Sequence, residues 1–101
     1  MNLAPALKPI HPGEILLQEY LEPLDVTQHK LAVAIGVTPR RINEIVHGKR
    51  GISADTALRL ARYSGTTERL WLNLQIQHNL EMERDRLLGT LDQIKPLRGQ
   101  D

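Results

Sequence analysis

Apolar residues recur at intervals of three and four along most of the chain, which is the spacing of amphipathic helices. No segment alternates apolar and polar residues as a half-buried strand does, and no internal repeat is visible. Capping residues, prolines and glycines divide this pattern into helices. We predict a single all-α domain over residues 1–101 with five helices, at residues 12–22, 28–35, 39–47, 54–64 and from 67 to at least 80.

The second and third predicted helices carry the local signals of a helix-turn-helix over residues 27–47. Thr27 and Thr38 stand where N-caps are needed, and Pro39 suits the first position of the third helix. Ala32 provides the small side chain that two steeply crossing helices require, and Gly36 suits a left-handed turn. The residues expected to face inward complete the pattern: Leu31, Ile35, Val37, Ile42 and Ile45.

Positive charge is concentrated in the same part of the chain, although the whole protein carries a formal net charge of only +1. Residues 27–50 contain five lysines and arginines and one glutamate, whereas residues 1–26 contain one lysine and four acidic residues. A local basic region favours contact with nucleic acid more than the overall charge does. Together with the helix-turn-helix, it indicates a sequence-specific DNA-binding protein.

In such a motif the N-terminal turn of the second helix enters the major groove of double-stranded DNA. Arginine can pair there with guanine, asparagine with adenine, and glutamate with the amino group of cytosine. Residues at the start of the first helix and after the end of the second would contact phosphates. The predicted DNA-binding residues are Gln28, Thr38, Pro39, Arg40, Arg41, Asn43, Glu44, Lys49 and Arg50. Glu44 has an equally good alternative, an ion pair with the arginine one turn earlier.

The composition argues against catalytic and metal-binding classes. The chain has no cysteine, which excludes a disulfide framework, a thiolate zinc site and a cysteine nucleophile. Its four histidines are scattered, and neither a metal-ligand spacing nor a glycine-rich phosphate loop occurs. We therefore expect no enzyme activity, no metal and no cofactor. Because the sequence has no apolar run of about 18 residues and no signal-peptide core, we expect a cytoplasmic protein without membrane contact.

Four motifs occur together within residues 9–80: HPGE at 11–14, GKRGIS at 48–53, ALRLA at 57–61 and WLNLQ at 71–75. In this combination the chain closely resembles the HigA/VapI-type antitoxins of the Xre group, which are lambda-repressor-like helix-turn-helix proteins. The resemblance implies a five-helix fold with a long C-terminal helix, and a homodimer that binds a palindromic operator in its own promoter. It also implies a HigB-type toxin, similar to the RelE-type mRNA endonucleases, which the protein neutralises. A solitary repressor without a toxin is the alternative.

The family pattern also implies which residues face DNA. It matches Gln28, Thr38, Arg40, Arg41 and Lys49 of this chain. Many members have Tyr-Asp-Leu shortly after the last motif, where this chain has His, Asn and Leu at 78–80. Contacts that need that tyrosine or aspartate are therefore not carried over.

A single helix-turn-helix reads only a few base pairs, so two copies about 34 Å apart are the usual solution. The last predicted helix has more apolar residues than one face of a small core needs, and we predict a dimerisation helix over residues 67–91. The predicted interface residues are Trp71, Leu74, Ile76, Leu80, Leu87 and Leu91. Two alternatives stay open: Trp71 closes the core of one chain, or the final leucines become ordered on a toxin. Residues 1–11 are predicted to form an arm and residues 92–101 a flexible tail.

Overall fold

The computed structural model describes residues 9–98, and all regular secondary structure in that range is helical. The elements are α1 (Pro12–Ile15), which continues directly into a π-helical segment (Leu16–Leu21), then α2 (Gln28–Ile35), α3 (Pro39–Val46), α4 (Ala54–Ser64), α5 (Glu68–Arg86) and α6 (Leu88–Asp92). The all-α class with a long C-terminal helix is thus confirmed. Residues 1–8 of the predicted arm and 99–101 of the predicted tail lie outside the described range, and residues 93–98 are exposed and non-helical.

Local signals place most helix boundaries where the sequence predicts them. The side-chain oxygens of Thr27, Thr38, Ser53 and Thr67 each accept a hydrogen bond from the backbone N–H three residues later. These bonds satisfy N–H groups that have no partner within the first turn of a helix. At the other end, α2 stops at Gly36, which has a left-handed φ of 76°.

The first helix differs from its prediction, because only its first four residues are α-helical. The rest forms wider π turns, in which the N–H of Glu22 donates to the carbonyl of Leu17 at 2.9 Å. Leu16 and Leu21 are both buried, and their five-residue spacing explains the wider turns. In an α-helix that spacing would separate the two side chains by roughly 140° around the axis. In a π-helix they lie on one face.

The C-terminal helix also differs, because it is interrupted at Leu87. The expectation of one continuous helix over residues 67–91 was therefore wrong, and a sixth short helix follows the break. Gly89 lies in the first turn of α6, and glycine is among the weakest helix formers because it loses the most backbone entropy. The break at Leu87 thus lies two residues before this glycine.

The core lies between α1, the π segment and helices α2 to α5 and is mainly aliphatic. Trp71 closes it, with its side chain fully buried within the single chain. The indole Nε1 donates to Thr66 Oγ1 at 2.9 Å, and the ring of Tyr20 lies 5.2 Å away between centroids. The assignment of Trp71 to a dimer interface was therefore wrong, since its side chain has no surface left for a partner. The alternative, closure of the monomer core, is the observed role.

Candidate nucleic-acid interface

The α2–turn–α3 unit has the close packing that the sequence predicts. Ala32 is fully buried, and its carbonyl accepts from the N–H groups of Gly36 at 2.9 Å and Val37 at 3.0 Å. The left-handed Gly36 turns the chain out of α2, and Thr38 and Pro39 start α3. Ile42 and Ile45 of α3 are buried, which fixes the opposite face of this helix toward solvent.

Most of the N-terminal turn of α3 is exposed to solvent. Thr38, Pro39 and Arg40 are exposed, and the side chain of Arg40 is 85% accessible. Arg41 is held more closely, with 32% of its side chain accessible. The charged end of α3 is therefore placed where it can contact a macromolecular partner.

Glu44 binds two arginines on this surface. Its carboxylate accepts from Arg40 Nε at 3.0 Å and from Arg50 Nε at 2.9 Å. These two hydrogen bonds are the main cause that lowers the pKa of Glu44 below its usual value, so the carboxylate is ionised at neutral pH. In the free protein Glu44 therefore makes the ion pair that the sequence offers as the alternative to base contact. The same carboxylate also holds the side chain of Arg50, in the loop after α3, against the helix.

Gln28 and Asn43 are brought together where the start of α2 meets α3. Asn43 Nδ2 donates to Gln28 Oε1 at 3.1 Å, which leaves the amide N–H groups of Gln28 as donors for an anion. Fifteen residues separate the two in sequence, and the pattern that nominates each of them does not predict their contact.

The loop that carries Lys49 and Arg50 is fixed from α5 by Gln75. Its Oε1 accepts from the backbone N–H of Ile52 at 2.7 Å. Gly51 allows the approach, because a Cβ there would lie 3.1 Å from the amide of Gln75. In the sequence Gln75 is the last residue of the WLNLQ motif, and the local pattern does not predict its contact with Ile52, which lies 23 residues away.

A second set of contacts, also missed from sequence, lies behind Arg41. Arg41 Nη1 donates to Asp55 Oδ1 at 3.3 Å, and the same oxygen accepts from Arg59 Nε at 2.8 Å. Arg59 Nη1 donates to the carbonyl oxygens of Ile35 at 2.8 Å and Gly36 at 3.4 Å. The hydrogen bond from Arg59 is the main cause that lowers the pKa of Asp55. The only available signal was the i, i+4 spacing of Asp55 and Arg59 in α4.

The predicted interface residues of the C-terminal region, other than Trp71, lie at or near the surface. Ile76, Leu80 and Leu91 are exposed, and Leu87 is half-buried at the break between α5 and α6. Leu74 is half-buried and packs against the core, so it is divided between core and surface. Across residues 9–98 no helix is long and apolar enough to cross a membrane, and no group of acidic residues and histidines is placed to hold a metal ion.

Comparison with known proteins places this architecture in a family. The helix-turn-helix family matches residues 17–71. Virulence-associated protein I of Dichelobacter nodosus is 56% identical over 78 residues, which cover 76% of this chain and 72% of that protein. Antitoxin HigA-1 of Vibrio cholerae is 34% identical over 90 residues, which cover 89% and 85%. The structure of Pseudomonas aeruginosa antitoxin HigA with the higBA promoter has a TM-score of 0.86 and 41% identity, covering 90% of this chain and all of that one. The chain therefore belongs to the helix-turn-helix family, in its branch of Xre-like antitoxins of the HigA/VapI type.

Proposed function

We propose that this protein is the antitoxin of a type II toxin–antitoxin pair. In this role it binds the operator in its own promoter as a dimeric repressor and neutralises a HigB/RelE-type mRNA endonuclease. The observation that carries the DNA-binding part is the exposed, arginine-bearing first turn of α3 in a fold similar to HigA with promoter DNA. The cytoplasmic location expected from the sequence belongs to the same proposal, because the promoter is there.

On DNA, α3 enters the major groove and Arg40 and Arg41 read base edges, since a guanidinium matches the two acceptors of guanine. Gln28 and Lys49 contact phosphates on either side of the groove and supply affinity rather than sequence choice. Thr38, Pro39, Asn43, Glu44 and Arg50 complete the proposed contact surface. To contact DNA, Glu44 has to release one of its two arginines, because both of its carboxylate oxygens accept from arginines in the free protein.

The dimer is proposed to form through the C-terminal helices. Exposed apolar side chains continue along α5 and α6, namely Ile76, Leu80, Met82, Leu88 and Leu91. Association is favourable when a second copy covers apolar surface of this kind and removes it from water. Leu74 and Leu87, both partly buried, would lie at the edge of the same contact. Toxin neutralisation is supported by the antitoxin relatives and not by any contact of this chain.

The DNA-binding part is tested by fluorescence anisotropy with a duplex from upstream of the coding sequence, against a scrambled duplex at the same salt. We expect Arg40→Ala to weaken specific binding by about 1–3 kcal/mol, the value of one bidentate base contact. Arg69→Ala removes the same charge from an exposed position on α5 and is the control. If both variants bind the promoter equally well, base reading does not belong to α3. If the wild type binds neither duplex even at low salt, the protein is a protein-binding module only.

The toxin part is tested by co-expression with the neighbouring reading frame of toxin size. Growth arrest by that frame alone, relieved by this protein, together with co-purification of the two, supports neutralisation. Promoter binding without any effect on a toxic neighbour indicates the alternative, a solitary repressor.

A further inference from the structure

The contacts behind α3 form a continuous path from the end of α2 to the DNA-facing surface. At one end, the guanidinium of Arg59 binds the carbonyl oxygens of Ile35 and Gly36, which close α2. At the other end, Asp55 binds Arg41 on the first turn of α3. One carboxylate oxygen of Asp55 serves both arginines, and the bond to Arg59 is the shorter by 0.5 Å, 2.8 against 3.3 Å. Asp55 is therefore attached mainly to Arg59 and holds Arg41 more loosely.

We infer that Asp55, anchored by Arg59, is a positioning residue that fixes the direction of the Arg41 side chain for base recognition. The inference rests on the proposed function, because Arg41 is useful in this way only if α3 reads DNA. Neither Asp55 nor Arg59 belongs to the contact surface assigned from the sequence.

The anchoring by Arg59 is what makes this pair more than an ordinary surface ion pair. An exposed carboxylate that pairs with a single arginine does little to fix the direction of that arginine, since both side chains keep most of their rotamers. Arg59 uses separate N–H groups for Asp55 and for the end of α2, where the carbonyl groups carry the negative end of the helix dipole. Asp55 is thus held by a side chain that is itself fixed at a second point. The lower exposure of the Arg41 side chain compared with Arg40, 32% against 85%, agrees with such a restraint.

The measurable consequence is a change in specificity rather than in overall affinity. Without Asp55, Arg41 can reach phosphates of any sequence, so binding to scrambled DNA strengthens while the gain on the promoter site is lost. Asp55→Asn and Arg59→Lys both weaken the path. Arg59→Lys keeps the charge but has a single ammonium in place of the fork, so an effect of that variant cannot come from net charge.

The experiment measures the ratio of the dissociation constants for scrambled DNA and for a footprinted promoter site at one salt concentration. A partly unfolded variant raises both constants by the same factor, so the ratio is insensitive to stability. We expect Asp55→Asn and Arg59→Lys to lower this ratio about tenfold, within the discrimination that one base contact supplies. Asp85→Asn, which removes one negative charge from an exposed position on α5, should leave it unchanged.

A double-mutant cycle then tests whether Arg41 is the mediator. Arg41→Ala should lower the ratio, and adding Asp55→Asn to it should lower the ratio little further, because the two changes act on one contact. Unchanged ratios in both single variants of the path, or an undiminished effect of Asp55→Asn without Arg41, would overturn the inference. A wild-type ratio near one would instead defeat the proposed function.

Discussion

The contact between α1 and α3 gives a strong stability prediction, because it requires that residue 13 have only a hydrogen atom in place of a side chain. A Cβ added at Gly13 would lie 1.8 Å from the carbonyl oxygen of Ile45 and 2.7 Å from its carbonyl carbon. Ordinary contacts begin at 3.4 Å, and here the obstructing atoms belong to the backbone and not to a flexible side chain. Gly13→Ala therefore forces α1 away from α3, and every residue that packs across this boundary loses contact.

The size of the effect follows from two opposing terms. Overpacking of a fixed site costs typically 1–3 kcal/mol, and a clash with backbone belongs at the upper end of that range. Alanine in a helix regains up to about 1 kcal/mol relative to glycine. We expect a net loss of about 2 kcal/mol, which lowers the melting temperature by roughly 8–16 °C in a domain of this size.

Thermal unfolding followed by circular dichroism measures this loss, at one protein concentration because the proposed dimer makes stability concentration-dependent. Gly89→Ala is the matched control. It makes the same substitution in α6, where a Cβ meets nothing within 4 Å, so it should leave the melting temperature unchanged or raise it. If Gly13→Ala melts within about 1 °C of the wild type, a tight approach of α1 to α3 is not what holds the motif in place.

Two further predictions concern charge. Glu44→Gln should strengthen binding to scrambled DNA and steepen its salt dependence by about one unit, because it frees Arg50 for a phosphate; Glu83→Gln, which breaks a similar pair in α5, should do neither. His11 is buried as the N-cap of α1, and this burial, followed by the nearby His78, lowers the pKa of His11, with Glu14 opposing the shift. The folded state therefore favours the neutral form of His11. The free energy of unfolding should be at its full value above about pH 6.5 and should decline as the pH falls below it. The decline should be smaller in His11→Asn, which keeps a capping oxygen but cannot be protonated in this range.

The sequence was sufficient for the motif because its signals are local. An N-cap acts on a donor three residues away, and Gly36 sets the turn by its own φ, so Thr27, Thr38 and Gly36 could be read without knowing the fold. The arginine-bearing end of α3 followed from the inward position of Ile42 and Ile45. What the sequence could not supply depends on how separate helices sit together. The bond from Arg59 to Ile35 spans 24 residues and that from Ile52 to Gln75 spans 23.

Trp71 shows a different limit of sequence reasoning. Its position in an apolar stripe is equally compatible with the core of one chain and with an interface between two. Only the placement of Tyr20 and Thr66 around the indole decides between these roles. The exposed side chains further along the helix, such as Leu80, carry the interface prediction without it.

The ion pairs on α3 suggest how affinity and specificity are separated on this surface. Arg40 and Arg50 share Glu44, and Arg41 shares Asp55 with Arg59, so two carboxylates restrain four arginines in the free protein. Exposed pairs of this kind are worth no more than about 1 kcal/mol, so exchanging them for DNA is inexpensive. Every DNA sequence incurs that same cost, whereas only the right site returns a bidentate base contact in exchange. Because that cost is the same for every duplex, it cannot by itself change the ratio of the dissociation constants for scrambled and promoter DNA. A lower ratio in Asp55→Asn would therefore show that the carboxylate sets the direction of Arg41, and not only that it neutralises positive charge.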